Sequence, residues 1–234
     1  MREAKSYPQE VYFNGKWMKP GEAYISVFDR GFMFGDGIYE VTPFYGGKPF
    51  KLKEHLKRLQ YCLDQVQIKF EAFSLEALMA EAVSRAGLAE ADAAVYIQVT
   101  RGVAPRSHFF PENIEPTVLL YAYKINLRGF ETNPLNVLAS EDKRWHRCDI
   151  KATALMGNIL ANEEAIANNF DENIMVRNGY FSEGSHTNIF FVKNATVYTH
   201  PEGPHILSGI TRQVVIDLCT QLRIKFKLGS CSFG

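Results

Sequence analysis

The sequence predicts an α+β protein of two units, and three observations carry that expectation. Short β-type runs joined by Asn-Gly and Gly-Gly turns come first, and a leucine stripe at three- and four-residue steps follows them. An aperiodic stretch of Asn, Arg, Gly and Pro, Lys124 to Pro134, then separates them from a strand-rich remainder. Tyr12-Phe13-Asn14-Gly15-Lys16-Trp17-Met18 reads as a hairpin, because Asn and Gly accept the positive φ values of a two-residue turn. Ile38 to Phe44 and Lys48 to Leu52 read as a second hairpin about Gly46-Gly47. Leu52, Leu56, Leu59, Leu63 and Val66 form one side of an amphipathic helix. Ser74 is the expected N-cap of a second helix, with Leu75, Leu78, Ala82 and Val83 inward and Gly87 as its stop. Strands near Ala93 to Thr100 and Thr117 to Tyr123 complete this unit.

The expected organisation is a small N-terminal α/β domain over 1–124, a linker over 125–134, and a larger C-terminal domain over 135–234. In the latter, strands are expected at Leu135 to Ala139, Ile174 to Val176, Asn188 to Val192 and Val197 to Thr199, with helices near Met156 to Asn169 and Thr211 to Leu222. The 26 basic residues are balanced by 26 acidic ones, which leaves no general electrostatic footprint for nucleic acid or an anionic membrane and favours a small-molecule partner. No apolar run approaches the roughly 20 residues that span a bilayer. The N-terminus lacks the order of a signal peptide, so a cytoplasmic location is expected. Cys62, Cys148, Cys219 and Cys231 fall singly, as buried thiols rather than a zinc site or disulfide framework. His146, His186, His200 and His205 are too scattered to suggest a metal site, and His55 reads as a structural residue at a helix start. The glycines do not follow a dinucleotide fingerprint.

Two residues suggest chemistry. Lys151, in Arg147-Cys148-Asp149-Ile150-Lys151, is followed thirty-two positions later by Glu183, in Ser182-Glu183-Gly184-Ser185. One lysine and one acid suffice for pyridoxal phosphate chemistry: the amine condenses with the cofactor aldehyde, and the acid keeps the pyridine nitrogen protonated so that the ring accepts electrons. An ordinary lysine, with a pKa near 10.4, is almost wholly protonated at neutral pH, so a working one needs neighbouring cations or burial. The bland alternatives are a surface lysine and a solvated loop glutamate.

With these segments the chain resembles the class IV (fold type IV) pyridoxal phosphate aminotransferases, and within them the D-amino acid (D-alanine) aminotransferases, from about Val11 to about Lys227. The resemblance implies the two-domain fold of that class, pyridoxal 5'-phosphate as cofactor, and Lys151 as both its anchor and the proton shuttle. It implies that Glu183 pairs with the pyridine nitrogen. Arg58, in His55-Leu56-Lys57-Arg58-Leu59, matches the family's phosphate-binding arginine, and its guanidinium fork suits phosphate. Gly209-Ile210-Thr211 precedes a helix, so the amides of Ile210 and Thr211 and the Thr211 hydroxyl are further phosphate donors. Arg106 and His108, in Pro105-Arg106-Ser107-His108, resemble the Arg-x-His trap for the substrate carboxylate, which Tyr39 completes. In those enzymes the arginine and histidine come from the partner subunit, which implies a homodimer. Branched-chain aminotransferases of this fold generally use Tyr-x-Arg instead.

The resemblance also implies further strands and a Ser/Thr-rich phosphate loop beyond Gly234, so the C-terminal domain is expected to be incomplete relative to the family, with an unpaired sheet edge. The activity implied is transfer of an amino group between a D-amino acid such as D-alanine and a 2-oxo acid such as 2-oxoglutarate. A branched-chain L-amino acid aminotransferase, an aminodeoxychorismate lyase and an inactive shortened member stay open at this point.

Overall fold

The computed structural model describes residues 7–126 and 132–232. Positions 127–131 of the expected linker, like both chain ends, lie outside the described residues. Two compact units result: one holds the chain up to 126 together with Lys151–Ala154, the other holds 132–150 and the chain from Leu155 onward.

The first unit begins with Val11–Phe13 (β1) and Lys16–Met18 (β2), paired across Asn14-Gly15 at φ 45° and 91°. A five-residue helix, Arg30–Phe34 (α1), follows. Asp29 caps it by accepting the Gly31 N–H at 2.8 Å, and Gly35 ends it at φ +66°. Sequence periodicity does not detect so short an element. The next hairpin is Gly37–Tyr45 (β3) and Lys48–Pro49 (β4). Leu52 does not end that strand as expected: the Phe50 N–H turns back to the Pro43 carbonyl (2.8 Å), Lys51 takes φ 52°, and Leu52 opens the helix Leu52–Gln65 (α2).

Glu76–Arg85 (α3) is entered through a 3-10 turn, Ala72–Leu75. Ser74 lies inside that turn rather than capping it. Its hydroxyl donates to the Glu71 carbonyl (2.6 Å), while the Glu71 carboxylate accepts the Phe73 N–H (3.1 Å) and is the cap.

Ala93–Thr100 (β5) and Thr117–Lys124 (β6) complete a six-stranded antiparallel sheet of order β2-β1-β6-β5-β3-β4. The pleat sends Ile38, Glu40, Thr42 and Phe44 to the buried face and leaves Tyr39, Val41 and Pro43 half-exposed on the other. On the buried face Val95, Ile97, Val99 and Leu120 join Leu56, Leu59 and Leu63 of α2 and Met79 and Val83 of α3 in one core.

β4 covers β3 only at Phe44 and Tyr45, so the start of the same strand would keep an unpaired edge. Lys151–Ala154 fills it. The Tyr39 N–H donates to the Lys151 carbonyl (3.0 Å), Ile38 bridges Ala152, and the Thr153 N–H donates to the Gly37 carbonyl (2.9 Å). This segment therefore packs with the first unit, although the sequence reading placed everything from 135 onward in the second.

The second unit contains two three-stranded sheets. Val137–Glu141 (β7) runs parallel to Glu172–Arg177 (β8), with Met156–Ala167 (α4) between them in sequence, and β8 turns through Asn178-Gly179 into Tyr180–Gly184 (β9). Phe191–Lys193 (β10) pairs with Thr196–Thr199 (β11), which runs parallel to Lys225–Leu228 (β12) after the helix Ile210–Gln221 (α5). β12 was not among the expected strands. No helix among the described residues is long and apolar enough to cross a membrane.

Leu59 is fully buried where α2 meets the sheet. Leu59→Ala should cost roughly 2–5 kcal/mol, read as a lower urea midpoint at unchanged slope.

Candidate active site

Lys151 stands on the first unit with its main chain fixed on both sides. Its carbonyl accepts from Tyr39, and its N–H donates to the Cys62 Sγ on α2 at 3.3 Å. Its Nζ lies 4.2 Å from the centroid of the Tyr39 ring, over the half-exposed face of β3. A cation over a phenol face is attracted by the ring quadrupole, which brings these two predicted residues together. Burial pushes the Cys62 thiol up to about 11, so at neutral pH it stays protonated and serves as a contact rather than a nucleophile.

Arg58 is held from the opposite face of the same strand. Glu40, next to Tyr39 but pointing inward, accepts Arg58 Nε at 2.9 Å and Nη2 at 2.6 Å, and its Oε1 lies 3.0 Å from His55 Nδ1. Burial alone would raise the Glu40 pKa, but the charge of Arg58 and the hydrogen bond with His55 outweigh it and hold the group at about 2. His55 is thus a partner inside the core, as its place at the helix start suggested. The Nε–Nη2 edge of Arg58 is committed to Glu40, which fixes the plane of the guanidinium.

Arg106 and His108 lie on the exposed loop between β5 and β6. Both border Phe34 at the end of α1: the Arg106 guanidinium is 5.2 Å from the ring centroid, and the His108 ring is 6.0 Å away.

In the second unit Glu183 is 5% exposed, near the end of β9. Oε1 accepts from Arg144 Nη1 at 2.6 Å; Oε2 accepts from Asn188 Nδ2 at 2.9 Å and from the Leu207 N–H at 3.0 Å. A carboxylate offers about four lone-pair sites, so one acceptor position on Oε1 remains. Burial pushes Glu183 up to about 7 against the pull of Arg144. Arg144 is itself held by Asp142, which takes its Nε and Nη2 at 2.9 Å each. Burial would raise Asp142, but Arg144 and Arg177 hold it well below the usual carboxylate range.

Three residues after Leu207, α5 begins at Ile210 with no side-chain cap, so its first amides point outward from a positive helix end. A Cβ at Gly209 would press on the Asn188 Oδ1 and oblige that side chain, which Glu183 and Leu207 hold, to shift.

Residues 37–234 match the family described as amino-transferase class IV. The chain belongs to the class IV aminotransferases. It is 38% identical over 223 residues to the D-alanine aminotransferase of Staphylococcus aureus (strain N315), covering 94% of this chain and 78% of that protein. Among solved structures it is similar to the branched-chain aminotransferase of Thermoproteus uzoniensis with norvaline, at 25% identity and TM-score 0.84, over 97% of this chain and 79% of that one. It is likewise similar to the T.th. branched-chain amino acid aminotransferase with pyridoxamine 5'-phosphate, at 25% identity and TM-score 0.85, over 97% and 78%.

This class IV aminotransferase carries site residues that the sequence reading passed over. Glu40 had a signal: an inward position in an alternating strand needs a cation, and His55 and Arg58 lie three apart on one helix side. Arg144 had none, because thirty-nine positions separate it from Glu183.

Glu40, ordinarily near 4.5, sits at about 2 in the fold, so its stabilisation is complete above pH 4.5 and is lost as pH falls towards 2. In that window Glu40→Gln should show a shallower pH dependence of its urea midpoint than the unaltered chain. Equal slopes would exclude Glu40 as the acid-labile group.

Proposed function

We propose that this aminotransferase uses pyridoxal 5'-phosphate to move an amino group between a D-amino acid, such as D-alanine, and a 2-oxo acid, such as 2-oxoglutarate. The observation that carries the reading is the Lys151 amine, held by its main chain against the strand that presents Tyr39. The donor set fits the cofactor. An amine suits an aldehyde, a guanidinium and an uncapped helix N-terminus suit a phosphate, and a buried carboxylate with one acceptor position left suits a protonated ring nitrogen. Such a nitrogen would also supply the second cation that Glu183, pushed up to about 7, lacks.

When bound, the cofactor supplies an electron sink that weakens the substrate Cα–H bond. The chain's residues do the rest. Lys151 Nζ would hold the cofactor through its aldehyde and, when free, would carry the proton taken from the substrate Cα. Glu183 holds the proton on the ring nitrogen. Arg58 of the first unit and the amides of Ile210 and Thr211 of the second would be the phosphate donors that the family resemblance implies. Tyr39, Arg106 and His108 orient the substrate carboxylate, and that placement decides which enantiomer turns its Cα–H towards Lys151. The D preference is supported by the D-alanine aminotransferase relative. We also infer a cytoplasmic homodimer, because Arg106 and His108 would serve the neighbouring protomer's substrate.

Protein supplied with the cofactor should gain a visible absorption band that shifts on adding D-alanine and not on adding L-leucine or aminodeoxychorismate. Lys151→Ala should lose both band and turnover, whereas Glu183→Gln should keep the band and lose about a hundredfold in kcat. A variant at 151 that still turns over would refute the assignment. Sedimentation should give twice the chain mass of 26.6 kDa; a single-chain mass would remove the dimer.

A further inference from the structure

The Gly35-Asp36-Gly37 segment, which the chemistry above leaves unused, sits at the centre of a buried charge cluster. Asp36 Oδ2 accepts from Arg30 Nε and from Arg101 Nε, each at 2.8 Å, and Oδ1 accepts from Arg101 Nη2 at 3.0 Å. The side chains of Arg30 and Arg101 are each 4% exposed. One carboxylate between two buried guanidiniums leaves the cluster with a surplus positive charge, which is costly unless the remaining donors are used.

One of them is used on the loop between β5 and β6, and two are used on the carbonyls that follow α2. Arg30 Nη1 donates at 2.8 Å to the carbonyl of Ser107, the residue between Arg106 and His108. The Arg30 guanidinium also lies 4.8 Å from the Phe34 ring centroid, while Arg106 and His108 border that same ring. Further along the loop, the Arg101 guanidinium lies 3.6 Å from the centroid of Phe110, while its Nη1 and Nη2 also donate to the carbonyls of Gln67 (3.0 Å) and Val66 (2.7 Å).

We propose that Arg30 and Phe34 are positioning residues that hold Arg106-Ser107-His108 in the geometry that receives the substrate carboxylate. Arg30 fixes the main chain of the tripeptide at its middle residue, and Phe34 fixes the two flanking side chains by offering one aromatic surface to both. The cluster is the rigid end of this arrangement, because Asp36 cannot move without breaking its bonds to both arginines. A loop with few buried apolar groups of its own would otherwise sample many conformations, and each would cost carboxylate affinity. The proposal rests on the D-amino acid aminotransferase reading above for its substrate, but not for the contact itself.

Arg30→Met is a suitable test because it removes the donor to Ser107 and leaves Asp36 paired twice with Arg101, so no buried charge is orphaned. The expected result is a KM for D-alanine about tenfold higher with kcat changed less than about threefold, the pattern of lost ground-state binding. Amide hydrogen exchange across 103–112 should quicken, while Leu52–Gln65 keeps its protection. Phe34→Leu, which touches no charge, should raise KM in the same direction and serves alone if Arg30→Met does not fold. An unchanged KM, or a loss confined to kcat, overturns the proposal. Absence of any D-alanine half-reaction in the unaltered chain would instead sink the function assigned above. In that event the exchange measurement, which needs no substrate, still decides: equal loop exchange with and without Arg30 overturns the pin.

Discussion

An unsatisfied strand edge governs where Lys151 stands. β3 is paired with β5 from Gly37 to Phe44 on one side, but on the other β4 reaches only Phe44 and Tyr45. The main-chain groups left at Gly37 and Tyr39 need partners, and Lys151–Ala154 supplies them through backbone bonds that do not depend on side-chain identity. The side chain at 151 is therefore aimed by the same hydrogen-bond geometry that holds the sheet together. A lysine on a mobile loop would lose that accuracy.

The pleat of β3 then distributes the work. Successive residues face opposite ways, so Tyr39 meets Lys151 on the half-exposed side while Glu40, one position on, fixes Arg58 from inside. Among the described residues, buried ionic clusters join Glu40 with Arg58 and Asp36 with Arg30 and Arg101 in the first unit, and Asp142, Arg144, Arg177 and Glu183 in the second. Within these clusters each charge faces an opposite one, which avoids the several kcal/mol that an unpaired ion would cost. Such clusters add less to stability than to definition: they leave few alternative orientations for the guanidiniums.

Elements whose signal is local could be read directly. The Asn14-Gly15 and Asn178-Gly179 turns, the leucine face of α2, and the helices α4 and α5 follow from residue types within a few positions of one another. The family's ordered motifs single out Lys151, Glu183 and Arg58 as candidates, because each stands in a short recognisable string. What escaped was either too short or too distant. α1 has five residues, less than two helical turns, and its evidence is a cap at Asp29 and a glycine stop rather than a period. The docking of Lys151–Ala154 on β3 joins residues more than a hundred positions apart, as does the bond from Thr153 to Gly35. His146, His200 and His205 look scattered in sequence, yet the His205 ring centroid lies 5.8 Å from that of His146 and 6.4 Å from that of His200.

The docking segment makes one stretch of chain answer for two things. β6 ends at Lys124 and Lys151 follows 27 positions later, so the six-stranded sheet is complete in sequence before the stretch that covers the start of β3. A change that misplaces Lys151–Ala154 would reopen a strand edge, the kind of surface on which extended peptides add, and would displace the amine at the same time. Scaffold closure and placement of that amine are thus kept or lost together.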